Sequence, residues 1–146
     1  MITYGADRVY VSEDPMFGEY NPDIFVSAIS RLVREMKPAI LLMGHTIIGR
    51  DLAPRAAFRL DTGLGTDCID LAIDPSTKLM IQTRPAYGGN AQTTVVVEKT
   101  RPQMATIRPK TATPVEPDES RQGDVIIWEA DIDVSIAKTR VVERVK

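Results

Sequence analysis

The sequence predicts an α/β fold, with a parallel sheet in the first half and additional short β-strands in the second half. Two observations support the parallel part. β-type runs alternate with helical patterns, and residues 39–43 are continuously apolar, which is typical of a parallel strand covered on both faces. A third observation concerns the second half, where apolar and polar residues alternate in short runs that turn residues separate. This alternation predicts strands with one buried face.

Local signals mark the first strand and the first helix. Residues 7–11 form a short β-type run. Asn21 is predicted to cap the following helix, because Pro22 fits the first helical position and needs no intrahelical N–H. The helix is predicted to end at Lys37, which a proline follows. Its apolar stripe, at three- and four-residue spacing, consists of Phe25, Ala28, Ile29, Leu32 and Met36.

A second helix is predicted over residues 52–60. Asp51 is its expected N-cap, which places Pro54 in the first turn, where a missing N–H costs little. Gly63 is the expected left-handed residue after its end. The predicted buried face consists of Leu52, Ala53, Ala56, Ala57 and Leu60. The resulting β-α-β-α order predicts a doubly wound layer.

The second half contains several β-like runs and one long connection. The predicted strands cover residues 66–74, 77–83, 93–98, 103–107, 125–131 and 139–145. The Pro- and acid-rich segment 111–123 is predicted to be a solvated loop.

Composition restricts the class of protein and its partners. The 146 residues are 43% hydrophobic and 26% charged, which is typical of a globular protein with its own core. A net charge of −2 argues against nucleic acid as a partner, because phosphate binding needs a basic surface. No apolar run approaches the roughly 20 residues of a membrane helix, so no membrane insertion is expected. The single cysteine fits a reducing compartment, and the absence of a leader-like start predicts a cytoplasmic location.

Few residues could carry bond chemistry. One histidine and one cysteine do not build a Cys/His metal site, so no metal site and no catalytic residue are predicted. Cys68 lies inside a β-type run and is predicted to be a small buried hydrophobe rather than a nucleophile.

The stretch GHTIIGRD at residues 44–51 has the glycine spacing of a phosphate loop between a strand and a helix. Arg50-Asp51 stands where a phosphate loop has Lys-Ser/Thr, which favours a plain strand-to-helix turn. His45 lies beyond the carboxyl end of a predicted strand, where open α/β sheets bind ligands. It is nevertheless more often a hydrogen-bonded turn histidine than a catalyst.

The stretch RPAYGGN at residues 84–90 admits two interpretations. In the first, Gly88 and Gly89 supply positive φ for a hairpin turn between strands 77–83 and 93–98, and no function is needed. In the second, the glycines let a flat ligand approach the backbone, with Arg84 and Tyr87 at the rim. The candidate cofactor-binding residues are Arg84, Tyr87, Gly88, Gly89 and Asn90. On local grounds the plain turn is favoured.

The stretch RPQMATIRP at residues 101–109 carries Arg-Pro at each end of a short predicted strand. Because proline is confined to sheet edges or to the first residue of a strand, the plain interpretation is a short strand, possible at a sheet edge, whose ends the prolines interrupt. A sharper hypothesis is that this edge meets another chain or another domain.

Three segments together resemble the α subunit of electron-transfer flavoproteins. They are GRDLAPRAAFRLDTGLGTDCIDL (49–71), QTRPAYGGN (82–90) and RPQMATIRP (101–109), in the family's order and at matching spacing. The resemblance covers nearly all of residues 4–110. It implies a Rossmann-like α/β domain of the adenine-nucleotide-hydrolase-like type. The chain is then one partial domain over residues 1–146, with a core at 1–110, a loop at 111–123 and terminal strands at 124–146.

The resemblance also implies partners and a cofactor. Such an α subunit pairs with a homologous β subunit, and the complete heterodimer holds FAD and passes electrons from acyl-CoA or similar dehydrogenases to a quinone- or ferredoxin-type acceptor, as in fatty acid β-oxidation. An AMP molecule is implied in the partner subunit. In members that bifurcate electrons, the arginine of the RPA-aromatic-GGN motif lies near a second FAD held mainly by the β subunit, and here that arginine is Arg84.

Departures from the family pattern limit what this chain does alone. The family's α subunit is about twice as long, and the motifs of its FAD-binding half, beginning with a GRG segment, are missing here. We therefore expect an internal piece of the first domain that does not bind FAD by itself. It is an electron-carrier subunit rather than a catalyst. Loss of the family's first strand would leave an apolar sheet edge exposed.

Two alternatives remain open from the sequence. The chain could be a stand-alone adenine-nucleotide-binding module without flavin, holding its ligand near residues 45–50. An enzymatic, nucleotide-hydrolysing function is weaker, because the loop lacks its lysine and one histidine leaves few general bases.

Overall fold

The architecture is taken from a computed structural model, which describes residues 1–143. Its strands are β1 (Arg8–Val11), β2 (Ile40–Gly44), β3 (Leu64–Cys68), β4 (Asp70–Ile73), β5 (Met80–Ala86), β6 (Ala91–Val95), β7 (Gln103–Ile107) and β8 (Asp124–Ile127). Its α-helices are α1 (Pro22–Met36) and α2 (Ile47–Arg59).

Hydrogen bonding arranges the strands in three sheets. β2, β7 and β3 form a parallel sheet in the order β2-β7-β3, and β1 pairs in parallel with β8. β4, β5 and β6 form an antiparallel sheet in chain order. The α/β class, with parallel strands and additional short β-strands in the second half, is thus confirmed.

The short strand predicted at 103–107 is confirmed, but its position at a sheet edge is wrong, because β7 is the central strand of the parallel sheet. Met104 and Ala105 are buried on opposite faces of it, one in the cluster with the helices and the other in the cluster with β5. Both prolines of RPQMATIRP lie outside the strand, at positions 102 and 109, so neither removes a ladder N–H.

The two faces of the parallel sheet are covered by different layers. Side chains of both α1 and α2 join Met104 in one apolar cluster, whereas Met80 of β5 packs against Ala105 on the other face. Within residues 1–143 the predicted doubly wound arrangement is therefore corrected to helices on one face and an antiparallel sheet on the other. β2 is not covered on both faces, since Leu42 remains 47% exposed.

Helix α1 begins and ends as predicted. The side chain of Asn21 accepts hydrogen bonds from the backbone N–H groups of Asp23 and Ile24, and Lys37 takes a left-handed conformation after the last turn. The predicted apolar stripe is met in part: Ala28 is buried and Phe25 and Ile29 pack against the core, whereas Met36 is 44% exposed. The helix also buries residues outside that stripe, and the segment after β8 covers a second side of it. There the Arg31 guanidinium donates to the Ala130 carbonyl oxygen over 2.7 Å.

Helix α2 begins five residues before the predicted start, so the prediction of Asp51 as N-cap is wrong. The Thr46 hydroxyl caps it by accepting from the Gly49 N–H, and Pro54 falls inside the helix rather than in its first turn. The Asp51 carboxylate instead accepts from the Tyr20 hydroxyl over 2.7 Å and from Arg55. Burial and this hydrogen bond raise the pKa of Tyr20 to about 12. Four residues of the predicted buried face, Leu52, Ala53, Ala56 and Ala57, are buried, whereas Leu60 follows the helix and is half-buried.

The end of α2 also differs from the prediction. Asp61, with φ of 52°, takes the left-handed conformation that was predicted for Gly63. Thr62 then donates its backbone N–H to Ala57 and its hydroxyl to the carbonyl oxygen of Pro102. This bond ties the end of the helix to the start of β7, an arrangement that the local sequence does not reveal.

The remaining predictions for the second half are met in part. The run 66–74 divides into two strands in different sheets, because Asp67 adopts a positive φ and the register of β3 shifts there. The loop 111–123 contains neither helix nor strand and is exposed. Residues 139–143 form no strand, and 144–145 of that predicted run lie outside the described residues. Among the described residues, none of the helices is both long and apolar enough to cross a membrane.

Candidate functional site

The carboxyl ends of the three parallel strands meet in one cluster of polar side chains. β2 leads into His45, whose N–H donates to the Ile107 carbonyl oxygen over 2.7 Å. The Arg108 N–H, just after β7, donates to the Cys68 carbonyl oxygen over 2.9 Å. Ligands of open α/β sheets bind at such an end, because loops there are free of the sheet's own pairing.

Asp67 lies at the centre of this cluster. Its positive φ turns its N–H towards the buried Thr106 hydroxyl, which accepts over 3.0 Å. Its carboxylate accepts two hydrogen bonds from the Arg108 guanidinium, at 2.9 and 2.7 Å. These bonds hold the pKa of Asp67 below its ordinary value. Asp67 and Arg108 therefore form a two-point ion pair at neutral pH.

His45 belongs to the same cluster and does not stand free in the turn. Its Nδ1 atom lies 2.9 Å from the Thr106 hydroxyl and its Nε2 atom 3.9 Å from an Asp67 carboxylate oxygen. If the Thr106 hydroxyl donates to Nδ1, the proton of the neutral ring resides on Nε2 and faces Asp67. The expectation of a hydrogen-bonded turn histidine is confirmed.

The turn at 44–51 is built for packing and helix capping. The N–H of Gly49 is engaged by Thr46, and a Cβ on Gly49 would lie 1.9 Å from the Gly44 carbonyl oxygen. The glycine at 49 is thus required by close backbone contact, and the interpretation as a strand-to-helix turn is confirmed.

The antiparallel hairpin brings a further cation to the carboxyl end of the parallel sheet. Its strands are residues 80–86 and 91–95, so Arg84 lies within β5, opposite Thr93, rather than in the turn. The reversal uses positive φ at Gly88 (68°) and Gly89 (97°), as predicted. Tyr87 also adopts a positive φ of 50°.

An open cleft of about 540 Å³ lies between the hairpin and the ion pair. Its lining residues are Asp67, Arg84, Pro85, Ala86, Tyr87, Gly88, Gly89, Thr93 and Arg108. Four of the five candidate residues from the sequence therefore line one cleft. Asn90 does not, since it follows the turn and its N–H points back to the Tyr87 carbonyl oxygen.

Sequence reasoning missed Asp67 and Arg108 as neighbours of the hairpin. Both were within stretches singled out for other reasons, and both lie at the carboxyl end of a parallel strand. Because ligands bind beyond the carboxyl ends of parallel strands, both residues could have been proposed once β7 was placed beside β3. The two residues lie 41 positions apart in the sequence, so no local pattern marks their contact.

The charged side chains of the cleft differ in whether they have a partner of opposite charge. Asp67 is neutralised by Arg108, whereas Arg84 forms no side-chain hydrogen bond or ion pair with any residue in the range 1–143. The positive charge of Arg84 acts on both Asp67 and Cys68 and favours their ionised forms. Burial nevertheless raises the pKa of Cys68, which is fully buried, so the prediction of a small buried hydrophobe is confirmed. The cleft thus has an available cation without an available nucleophile.

The tip of the hairpin is accessible from solvent. Tyr87 is 85% exposed, and a Cβ built on Gly88 or Gly89 would meet no atom within 4 Å. An aromatic ring, a guanidinium without a partner among the described residues and an unobstructed backbone thus lie together at the open side of the cleft.

Comparison with known proteins gives consistent matches over the chain. A family model for the electron transfer flavoprotein domain matches residues 1–133. The electron transfer flavoprotein subunit alpha of Thermoanaerobacterium thermosaccharolyticum is 45% identical over 146 residues, which is 100% of this chain and 44% of that protein. Protein FixB of Azotobacter vinelandii is 37% identical over 145 residues, 99% of this chain and 39% of that protein.

A third relative is subunit LctC of the lactate dehydrogenase (NAD(+),ferredoxin) of Acetobacterium woodii. It is 35% identical over 146 residues, 100% of this chain and 35% of LctC. The chain therefore spans less than half the length of these relatives.

Proposed function

This chain belongs to the electron transfer flavoprotein family, among its α subunits, and from that premise we propose that it acts as a scaffold and as the β-subunit interface of an FAD-containing electron carrier. The resemblance inferred from GRDLAPR, RPAYGGN and RPQMATIRP is thereby confirmed. We further propose that the complete complex carries electrons from a dehydrogenase to a quinone- or ferredoxin-type acceptor. One relative is a subunit of a lactate dehydrogenase, so the proposed donors are not restricted to those of fatty acid β-oxidation.

The observation that carries this proposal is the unpaired Arg84 in the open hairpin cleft. Arg84 has no carboxylate partner among the described residues, and its neighbour Asp67 is already engaged by Arg108. Its donors are therefore free for a group that arrives from outside. The cleft residues proposed to contact the flavin are Arg84, Tyr87, Gly88 and Gly89, with Asn90 holding the end of the turn.

FAD, when bound in the complete complex, accepts and releases the electrons. The proposed role of this chain is to position the flavin and to stabilise the charge that develops on it. Arg84 would donate hydrogen bonds towards the ring edge and offset negative charge that develops there. Gly88 and Gly89 would allow close approach, and Tyr87 would exclude water from one side. We propose that AMP, if present in the complex, lies in the partner subunit and not in this chain.

The scaffold proposal is tested by reconstitution. The chain is mixed with a cognate β subunit and with the remaining length of an α subunit, and flavin absorbance is followed through size-exclusion chromatography. A yellow complex that contains all the polypeptides is expected. Absence of association at micromolar concentration would overturn the scaffold and interface function.

The role of Arg84 is tested separately by the flavin potential. In the reconstituted complex, Arg84→Gln should lower the midpoint potential, and a loss of about 1.4 kcal/mol corresponds to about 30 mV for a two-electron couple. Lys99→Gln removes an equal charge outside the cleft and should leave the potential unchanged. Equal potentials in both variants would refute contact between Arg84 and flavin and leave the scaffold function standing.

A further inference from the structure

A second cleft lies at the opposite, amino end of the parallel sheet. It has a volume of about 580 Å³. Its walls come from the segments that precede β2, β7 and β3 and from the last turns of α1 and α2. The lining residues are Val33, Arg34, Lys37, Pro38, Arg59, Leu60, Asp61, Arg101 and Pro102.

This amino-end cleft concentrates positive charge in a chain whose net charge is −2. Its lining includes four cations, Arg34, Lys37, Arg59 and Arg101, and one acid, Asp61. None of the four cations forms an ion pair within residues 1–143. Outside the cleft, Arg31, Arg55 and Arg108 each contact a carboxylate at 3.1 Å or less, whereas Arg50 and Arg84 contact none among the described residues. The amino-end cleft is therefore distinguished by the number of unpaired cations that share one cavity.

Neutral oxygens hold the three guanidiniums in place. Arg34 donates to the Arg59 carbonyl oxygen over 3.0 Å, and Arg59 donates to the Ser27 hydroxyl. Arg101 donates from one nitrogen to backbone carbonyls, the shortest bond being 2.8 Å to Thr100. These contacts fix the side chains without cancelling their charge, and other N–H groups of each guanidinium remain available.

The floor of the cleft is apolar. Val33 and Pro102 are buried there, and Leu60 is half-buried beside them. A cationic rim above an apolar floor suits an anion that also has a flat or apolar body. Helix C-termini alone favour nearby cations, which accounts for Arg34 and Arg59. Arg101 lies in the loop before β7 and not at a helix end, and its bonds to carbonyl oxygens of residues 97–100 leave its charge unpaired.

We propose that the amino-end cleft binds a phosphorylated organic anion, with its phosphates at the cationic rim and its body on the apolar floor. The phosphate oxygens supply the anionic partners that the four cations lack among the described residues. The site is separate from the hairpin cleft, since the parallel strands lie between them. It does not depend on the proposed flavin function.

The test is a calorimetric titration of the full chain with ADP, with and without Lys37→Glu. Lys78→Glu is a matched control, because Lys37 and Lys78 are both exposed and both have a left-handed backbone, with φ of 47° and 58°. Circular dichroism establishes that each variant is folded, and Lys37→Gln replaces Lys37→Glu if the charge reversal unfolds the chain. We expect ADP binding that Lys37→Glu weakens about tenfold and Lys78→Glu less than about twofold.

Other outcomes would overturn the proposal. Absence of heat with ADP up to millimolar concentration would show that the four cations of the cleft have only local structural roles. Equal weakening by Lys37→Glu and Lys78→Glu would show general charge attraction. Titration with pyrophosphate tests the apolar floor: weaker binding than ADP supports it, and binding as tight as ADP would refute a role for the body of the ligand.

Discussion

The parallel sheet and the antiparallel hairpin sheet share one interface but differ in what they expose. β7 of the parallel sheet is covered on both faces, and Gln103, Met104, Ala105 and Thr106 are all buried. Residues 91–94 of β6, by contrast, are exposed, as is the hairpin tip at 87–90. The parallel sheet therefore carries the core, whereas the hairpin carries side chains that packing does not need.

This difference explains where the candidate site arises. An arginine in β7 would need a buried partner, because an unpaired buried charge is strongly unfavourable. Arg84 in β5 can remain unpaired because one side of its sheet opens to solvent. The rigid parallel sheet positions the hairpin through Met80, and the hairpin presents the cation.

The largest effect is expected from truncating the core of the parallel sheet. Met104→Ala should lower the free energy of unfolding by about 2–5 kcal/mol, because the cavity is enclosed by α2 and the sheet. Tyr87→Ala at the hairpin tip should cost less than about 0.5 kcal/mol. Urea denaturation measures both. Comparable losses would mean that the hairpin also carries core stability.

Glycine substitutions in the two regions should lower stability for different physical reasons. Gly49→Ala should cost about 1–3 kcal/mol, because the added Cβ meets the Gly44 backbone. Gly88→Ala meets no atom and should cost about 1 kcal/mol through its φ of 68° alone. Gly88→Asn should recover part of that loss, since Asn tolerates this conformation. Thermal denaturation of the three variants tests the order; a greater loss for Gly88→Ala than for Gly49→Ala would contradict it.

The ion pair where the two regions meet should give a smaller, pH-dependent effect. Asp67→Asn should cost about 1 kcal/mol at pH 7, since it removes the charge that Arg108 contacts at two points. Arg108 lowers the pKa of Asp67 in the folded state, so the contribution is present above about pH 4 and lost as the pH falls through the lower folded value.

In urea titrations the stabilities of Asp67→Asn and the unchanged chain should therefore differ by a constant amount from pH 7 to about pH 4 and converge as the pH falls further. Asp124→Asn breaks the longer, exposed pair with Arg8 and should show a smaller difference at pH 7. A gap for Asp67→Asn that stays constant with pH would rule out the ion pair as its source.

The smallest effect is expected at Gln82, between the two sheets. Its side-chain amide is buried and has no hydrogen-bond partner among the described residues, so Gln82→Met should change stability by less than about 0.5 kcal/mol or increase it. Gln103→Met should cost about 1–3 kcal/mol, because Gln103 accepts from the Met80 N–H and donates to the Lys78 carbonyl oxygen. A loss for Gln82→Met as large as that for Gln103→Met would reveal a buried partner of Gln82, such as a water molecule.

Local sequence signals predicted the presence of helices and strands better than the residues at which they begin and end. Asn21 and Pro22 identified the start of α1 because a cap acts over three residues. Asp51 was a plausible cap for α2, yet Thr46 is the cap, because Gly49 can pack against Gly44 and lets the helix begin earlier. The prolines around 103–107 suggested an edge, but their position just outside the strand leaves every ladder N–H of β7 intact.

The sequence by itself determined the α/β class, the hairpin turn and the family, since these depend on periodicity, on glycine φ angles and on motifs of neighbouring residues. Four of the five candidate residues named from the sequence line one cleft, and their contact with flavin stays a prediction. Only the tertiary structure decided that β7 is central, that Asp67 and Arg108 join Arg84, and that unpaired cations gather at the amino end of the sheet. These facts rest on contacts between segments distant in the chain, which hydrophobic packing brings together and no local pattern encodes.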